Sequence, residues 1–137
     1  MKAPACKGRP SRRFPTGGQV HHPRLIDHFR NPRNAGELEA PDAVVEISNP
    51  VCGDILKLWV KVEQGRVASI RFKCRGCVAA MACGSALTEL VARSDLADAE
   101  KITTAAVEEA VGELETASKH AAVLAVDAWR AAVNKLA

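Results

Sequence analysis

The sequence contains no long uncharged stretch. Its longest run without Lys, Arg, Asp or Glu extends from Gly76 to Thr88, whereas a membrane-spanning helix needs about 20 apolar residues. Internal repeats are also absent, and the first residues lack the apolar centre of a secretory signal. The chain has 137 residues, of which 47% are hydrophobic and 26% charged, as in a globular domain with its own core. These features exclude a transmembrane protein and a wholly disordered chain.

Acidic residues are missing from the first 24 positions, which hold six of the 19 lysines and arginines. The rest of the chain has 13 basic and 16 acidic residues and is mildly negative. Residues 1–21 are rich in Pro, Gly and Arg, which predicts a disordered basic tail before a domain over residues 22–137. We interpret the tail as a solvated end and do not expect it to bind nucleic acid. A transit peptide and a true start near Val20 remain alternatives.

Cysteine usage argues against a disulfide framework. The chain has five cysteines, an odd number, with Cys6 in the tail, Cys52 alone, and Cys74, Cys77 and Cys83 close together. Without a signal peptide, this pattern is typical of reduced thiols in the cytoplasm and of metal chemistry. We therefore expect a cytoplasmic protein.

Alternating apolar residues predict three strands, at residues 44–49, 56–63 and 68–74. Gln64-Gly65 separates the last two, which predicts an antiparallel hairpin with one buried and one solvent-exposed face. Trp59 falls on the exposed side of this pattern, whereas Ala68 and Cys74 fall on the buried side.

The other elements are predicted to be helices, near residues 23–31, 77–91, 94–101, 103–114 and 120–136. In the second of them, Leu87, Leu90 and Val91 continue a buried stripe of small residues. The last has apolar residues at helical spacing from Ala121 to Leu136. Strands followed by helices predict an α+β fold, a three-stranded antiparallel sheet with helices packed on one face.

Two short motifs could carry chemistry. Cys52-Gly53-Asp54 lies in the loop between the first two strands, where glycine lets the backbone bend so that a thiolate and a carboxylate point outward together. Cys77 opens a helix, whose unpaired N–H groups and dipole lower the pKa of a thiol. A tight turn and a buried, inert cysteine are the corresponding structural alternatives.

The other cysteines and the histidine are weaker candidates. Cys83 lies on the apolar side of its helix and is not expected to join Cys77 around a metal. Cys74 continues the buried side of its strand, and the alternative is that the turn directs it outward as a third thiolate. Cys6 is expected to be a free thiol in the tail. His120 opens the last helix and, considered alone, is more typical of a cap or a surface residue than of a ligand.

Taken together, these features resemble the family of IscU and NifU-N-terminal iron–sulfur cluster assembly scaffolds. The matching stretches are residues 26–36, 51–54, 56–58, 71–73, 76–77, 85–89, 120, 124–125 and 127–128. They occur in the family's order and spacing and cover almost everything but the tail.

The resemblance implies an exposed site where the loop after the first strand and the starts of two helices converge. Such scaffolds receive sulfur from a cysteine desulfurase, take up iron, build a [2Fe–2S] cluster and pass it to apo acceptor proteins, and they are not enzymes. The resemblance assigns Cys52 and Cys77 as cluster ligands, Asp54 as the residue that tunes the cluster, and His120 as a neighbouring metal ligand. Zinc is the alternative occupant.

This sequence departs from the family pattern at three points. The family's third cysteine follows the histidine, where this chain has Ala121. Residues 114–119 lack the Leu-Pro-Pro-Val-Lys motif of IscU proteins, so we do not expect the dedicated chaperone as a partner. The chain also lacks room for the insertion between the first two cysteines that marks the SufU branch.

The remaining donors still form a sound ligand set. Cys52, Asp54, Cys77 and His120 offer two sulfurs, one oxygen and one nitrogen, which suit zinc, ferrous iron or a labile [2Fe–2S] cluster. The leading hypothesis is a scaffold or carrier of iron–sulfur clusters. The alternatives are a degenerate member that holds one zinc or iron ion as a regulator, and a SufE-like persulfide carrier.

Overall fold

The computed structural model describes residues 22–49 and 53–136. Its elements, in chain order, are α1 (Pro23–Arg30), β1 (Ala43–Asn49), β2 (Asp54–Glu63), β3 (Arg66–Arg75), α2 (Val78–Val91), α3 (Leu96–Ala99), α4 (Thr104–Ala110), a 3-10 helix (Thr116–Ser118) and α5 (Lys119–Leu136). The predicted tail, Cys6 and Cys52 lie outside the described residues. The tail therefore stays a prediction.

The three strands form one antiparallel sheet in the order β1-β2-β3. At the hairpin between β2 and β3, Gln64 and Gly65 have φ angles of 52° and 74°. Two successive positive φ angles match the type I′ turn, whose twist fits that of the strands it joins. The predicted hairpin is confirmed. At the other end of β2, Asn49 pairs with Asp54, so β1 ends beside the first residue of β2.

A β-bulge interrupts the alternation of β3. The register shifts between Lys61 and Val62, because Lys61 pairs with Ser69 and Val62 with Val67. Ala68 is the extra residue and is exposed, while Val67 is fully buried. The prediction that Ala68 lies on the buried side was therefore wrong. The prediction for Trp59 was also wrong, since its side chain is buried and the Lys57 ammonium lies 5.0 Å from its ring centre.

The helices pack on one face of the sheet, as predicted. Alanine, glycine and serine let α2 approach the sheet closely: a Cβ at Gly84 would lie 2.9 Å from the Phe72 ring. In α5 the largest buried side chain is Trp129, whose indole N–H donates to the Ala99 carbonyl at 2.7 Å. Leu90, predicted to be buried, is 38% exposed. No helix among the described residues is long and apolar enough to cross a membrane.

A buried polar contact fixes α1 and the loop after it onto α2. The Ser85 hydroxyl lies 2.8 Å from Nδ1 of His28 and accepts a hydrogen bond of the same length from the Arg33 backbone N–H. Burial, followed by the Arg33 guanidinium, lowers the pKa of His28, which favours the neutral imidazole. The sequence analysis did not single out His28 or Ser85 for this role.

Candidate metal centre

Three potential metal ligands converge at one end of the sheet. Asp54 is the first residue of β2, Cys77 is the N-cap of α2, and His120 lies in the first turn of α5. One ligand atom from each, an oxygen, a sulfur and a nitrogen, lies within 4.8 Å of the other two. Three residues that are distant in sequence thus form one cluster, of which His120 was expected as a ligand only through the family resemblance.

Cys77 is held by the start of its helix. Its backbone is extended, and its Sγ accepts a hydrogen bond from the Ala80 N–H at 3.3 Å. Its own N–H donates to Oδ1 of Asp54 at 3.2 Å. The thiol therefore caps α2 while remaining next to the carboxylate.

The electrostatics at Cys77 correct one expectation from the sequence. Partial burial raises the pKa of this thiol, and the neighbouring Asp54 carboxylate raises it further by its charge and by accepting from the thiol. The N–H groups of Ala79 and Ala80 lower the pKa, as expected of a helix start, but they do not outweigh these effects. In the metal-free protein the thiol is thus favoured over the thiolate, and a bound cation would reverse this preference.

Asp54 is the central and most buried member of the cluster. The residue is only 3% exposed, and its Oδ2 lies 3.6 Å from the Cys77 sulfur and 3.4 Å from Nε2 of His120. A Cβ at Gly76 would lie 2.7 Å from the carboxyl carbon of Asp54. Only glycine at this position leaves room for the carboxylate, a role that the sequence pattern does not reveal.

His120 presents a buried nitrogen without a hydrogen-bond partner. Its side chain is 28% exposed, but Nε2 itself is buried and makes no hydrogen bond to any described residue, despite lying near Asp54. Buried polar atoms normally have a partner. A cation bound between His120, Asp54 and Cys77 would supply one, so the donor set fits a metal ion.

The remaining cysteines lie outside this cluster. Cys83 is fully buried and Cys74 is half-buried against the core, and in both cases burial raises the pKa to about 12. This agrees with their predicted place in the core. The role predicted for Cys52 cannot be placed in the structure, because its position between β1 and β2 is outside the described residues.

Ala121 is buried, with 1% exposure, directly after His120 in the first turn of α5. Its methyl group cannot ligate a metal. The described part of the centre therefore offers one sulfur, one oxygen and one nitrogen, which are ordinary ligands of tetrahedral zinc and of ferrous iron.

Comparison with known proteins gives a consistent picture. The family model of the NifU-like N terminal domain matches residues 20–137. The scaffold protein IscU 1 of Archaeoglobus fulgidus is 41% identical over 114 residues, which cover 83% of this chain and 74% of that protein. The nitrogen fixation protein NifU of Cereibacter sphaeroides is 46% identical over 110 residues, covering 80% of this chain but only 45% of NifU. A mitochondrial iron sulfur cluster assembly protein 1 of Eremothecium gossypii is 37% identical, covering 85% of this chain and 78% of that protein.

Solved structures share the fold. The N-terminal NifU-like protein of Brucella abortus has a TM-score of 0.68 at 19% identity, covering 84% of this chain and 92% of that one. A SUF-system protein of Fervidobacterium islandicum has a TM-score of 0.71 at 15% identity, with 82% and 96% covered. At these identities the likeness establishes the α+β architecture alone.

Proposed function

The chain belongs to the family of the NifU-like N-terminal domain, and we propose that it is an iron–sulfur cluster assembly scaffold. The structural observation that supports this function is the convergence of Asp54, Cys77 and His120 around one point. The named scaffold relatives, IscU 1 and NifU, support the same function. A scaffold holds and releases its cargo, so it needs ligands at an accessible end of the fold and no catalytic step of its own.

In this proposal the cargo is iron and sulfide, held as a labile [2Fe–2S] cluster. Cys77 and Cys52 supply the thiolates, His120 supplies a nitrogen, and Asp54 tunes the stability of the bound cluster. With Ala121 in place of a third thiolate, at most two of these ligands are sulfurs. Ligation by histidine raises the reduction potential of a [2Fe–2S] centre relative to all-cysteine ligation.

The proposal includes two kinds of partner. A cysteine desulfurase supplies sulfur, and apo iron–sulfur proteins accept the finished cluster. We place the protein in the cytoplasm, as the reduced cysteines suggest, although its relatives include proteins named as mitochondrial.

A second candidate is a site for a single zinc or ferrous ion. It is favoured by the described donor set, in which Asp54 Oδ2 lies within 3.6 Å of both the Cys77 sulfur and the His120 nitrogen. One ion bound by these three residues and by Cys52 would complete a tetrahedron. The same ion could be the first iron of a cluster.

The deciding experiment is anaerobic reconstitution of the full chain with ferrous iron, cysteine, a cysteine desulfurase and a dithiol reductant that converts persulfide sulfur to sulfide, followed by measurement of iron and acid-labile sulfide. We expect near-equal amounts of both in the parent and their loss in Cys77→Ser and Cys52→Ser. Cys6→Ser is the matched control, since it removes a thiol from the tail, and it should retain the cluster.

Other outcomes would identify the alternatives. Metal without sulfide in the parent, with a cluster forming only in Ala121→Cys, would refute cluster assembly by the natural chain and favour the single-ion site. Persulfide on a single cysteine without retained iron would instead indicate a sulfur carrier.

A further inference from the structure

The two edge strands of the sheet, β3 and β1, differ in how far other segments bond to their outward backbone groups. On the β3 edge, Phe72 exchanges two backbone hydrogen bonds of 2.9 Å with residues 34 and 36. Further along, Val67 donates to residue 94 at 2.9 Å and accepts from residue 93 at 3.0 Å. These contacts cover the edge, as natural sheets commonly do to prevent pairing with other chains.

Among the residues that the structure describes, the β1 edge is covered only at the end far from the metal centre. There the Lys135 ammonium donates to the Val44 carbonyl at 3.0 Å, which shows that Val44 faces away from β2. Because alternate residues of an antiparallel strand face the same way, Glu46 and Ser48 also direct their N–H and C=O groups outward. No described residue bonds to these groups on that side. In the described part of the chain, the half of β1 nearest the metal centre is therefore an open row of donors and acceptors.

A groove of about 300 Å³ lies between this half of β1 and α5. Ile47 and Ser48 line one wall, and Val123, Leu124 and Asp127 line the other. Val123 is 46% exposed although its side chain is apolar. His120 also lines the groove, which therefore borders the metal centre.

We propose that the Glu46–Ser48 edge and this groove bind an extended segment of the sulfur-donating partner, which adds to the sheet as a fourth strand. The inference rests on the proposed function for the identity of that partner. Outward groups on a strand repeat about every 6.6 Å, the spacing at which a second extended backbone offers its own. Since the groove leads to His120, such a segment would be guided to Cys77.

The surrounding side chains specify the chemistry of the segment. Ile47 and Val123 offer apolar surface to one side chain, while the exposed acid Asp127 favours lysine or arginine nearby. Glu46 does not add to this negative charge, because it lines a separate depression with Lys57, Lys73 and Arg75. We therefore expect a segment that combines apolar and basic side chains. A second copy of this chain fits less well, because antiparallel pairing of two β1 strands centred on Glu46 would place like charges opposite each other.

The test compares two proline variants of the full chain for affinity to a cysteine desulfurase. Ser48→Pro removes an outward N–H from the open half of β1, and proline is tolerated where a strand faces outward. We expect at least tenfold weaker binding. Val44→Pro makes the same change at the end that Lys135 covers and should bind like the parent. Zinc affinity and melting temperature, retained in both variants, verify the fold and the metal centre.

Several results would overturn the proposal. The proposed role of the open half would be refuted if Ser48→Pro bound desulfurase as tightly as the parent, or if Val44→Pro lost as much affinity as Ser48→Pro. Amide-exchange protection of Glu46 and Ser48 should appear only when desulfurase is added, so protection in the free chain would mean that its own N-terminal segment or a second copy occupies the edge. If the parent does not bind desulfurase, the docking inference fails, while cluster assembly from iron and free sulfide would leave the proposed function standing.

Discussion

At the scale of single residues, the metal centre depends on the absence of a side chain at Gly76. A Cβ there would lie 2.7 Å from the Asp54 carboxyl carbon, closer than real contacts allow. In Gly76→Ala the carboxylate must move, and it loses its hydrogen bond with the Cys77 N–H. Groups that orient metal ligands typically contribute 10- to 100-fold in affinity. We expect zinc binding to weaken by about tenfold or more, measured by competition with a chromophoric chelator.

Gly84→Ala is the matched control for this substitution. Its Cβ would lie 2.9 Å from the Phe72 ring, so it introduces a similar clash between α2 and the sheet, outside the cluster of ligands. It should lower the melting temperature while the folded protein keeps its zinc affinity. If Gly76→Ala also keeps its affinity, the close approach of Asp54 has no role in the centre.

The protonation of Cys77 gives a second prediction at this scale. Because burial and Asp54 raise the pKa of Cys77, alkylation of this thiol should become fast only above the ordinary pH range for a free cysteine. Asp54→Asn removes the negative charge, so the pH midpoint should fall. Peptide-resolved mass spectrometry of iodoacetamide labelling measures the rate at each cysteine, with Cys6 as the internal reference. A midpoint unchanged in Asp54→Asn would contradict the assigned cause.

The three described donors could be predicted from the sequence, but their packing and their effects on each other's pKa could not. Cys77 at a helix start and Asp54 after a glycine are local patterns, and the family resemblance added His120. The room that Gly76 leaves for Asp54 depends on two residues 22 positions apart. Whether the pKa of Cys77 is raised or lowered depends on burial, which cannot be deduced from the local sequence pattern.

At the scale of elements, hydrophobic alternation predicted the strands well where pairing is regular. It failed at Ala68, because a bulge shifts the register and changes which side chains face the core. It also failed at Leu90, which has helical spacing but is 38% exposed, because no described neighbour of α2 covers it fully. Both errors come from tertiary packing, which decides burial once the element itself is formed.

The attachment of α1 to α2 is testable through Ser85. Ser85→Ala removes the partner of a buried His28 nitrogen and of the Arg33 N–H. Leaving buried polar groups unpaired costs about 1–3 kcal/mol. We expect the free energy of unfolding, measured by urea denaturation, to fall by that amount. Ser94→Ala removes a more exposed hydroxyl that donates to the Leu90 carbonyl, and it should change stability by less than about 0.5 kcal/mol. Equal effects would contradict the special role of Ser85.

At the scale of the whole molecule, the fold separates the metal centre from the core thiols. The order of strands and helices was sufficient to predict the α+β architecture, because a hairpin with one apolar face must be covered by the amphipathic helices that follow. That architecture places Cys77 at an open end of the sheet and Cys83 one helix turn or more deeper, with no exposure. Two cysteines of the same helix region therefore have different surroundings: Cys77 is exposed beside Asp54, as the proposed ligand role requires, and Cys83 is buried in the core.

The buried thiol of Cys83 is expected to make the whole protein less stable as the pH rises above 9. Burial raises its pKa from 9.0 to about 12 in the folded state, so above pH 9 the unfolded chain loses this proton while the folded protein keeps it. The free energy of unfolding should then fall by about 1.4 kcal/mol per pH unit through this thiol alone. Urea denaturation between pH 8 and 11, roughly the range set by that shift, should show a shallower decline in Cys83→Ala than in the parent. Cys6→Ala should follow the parent, since that thiol is in the predicted tail. Identical slopes in the parent and Cys83→Ala would mean that Cys83 ionises as readily in the folded protein as in the unfolded chain.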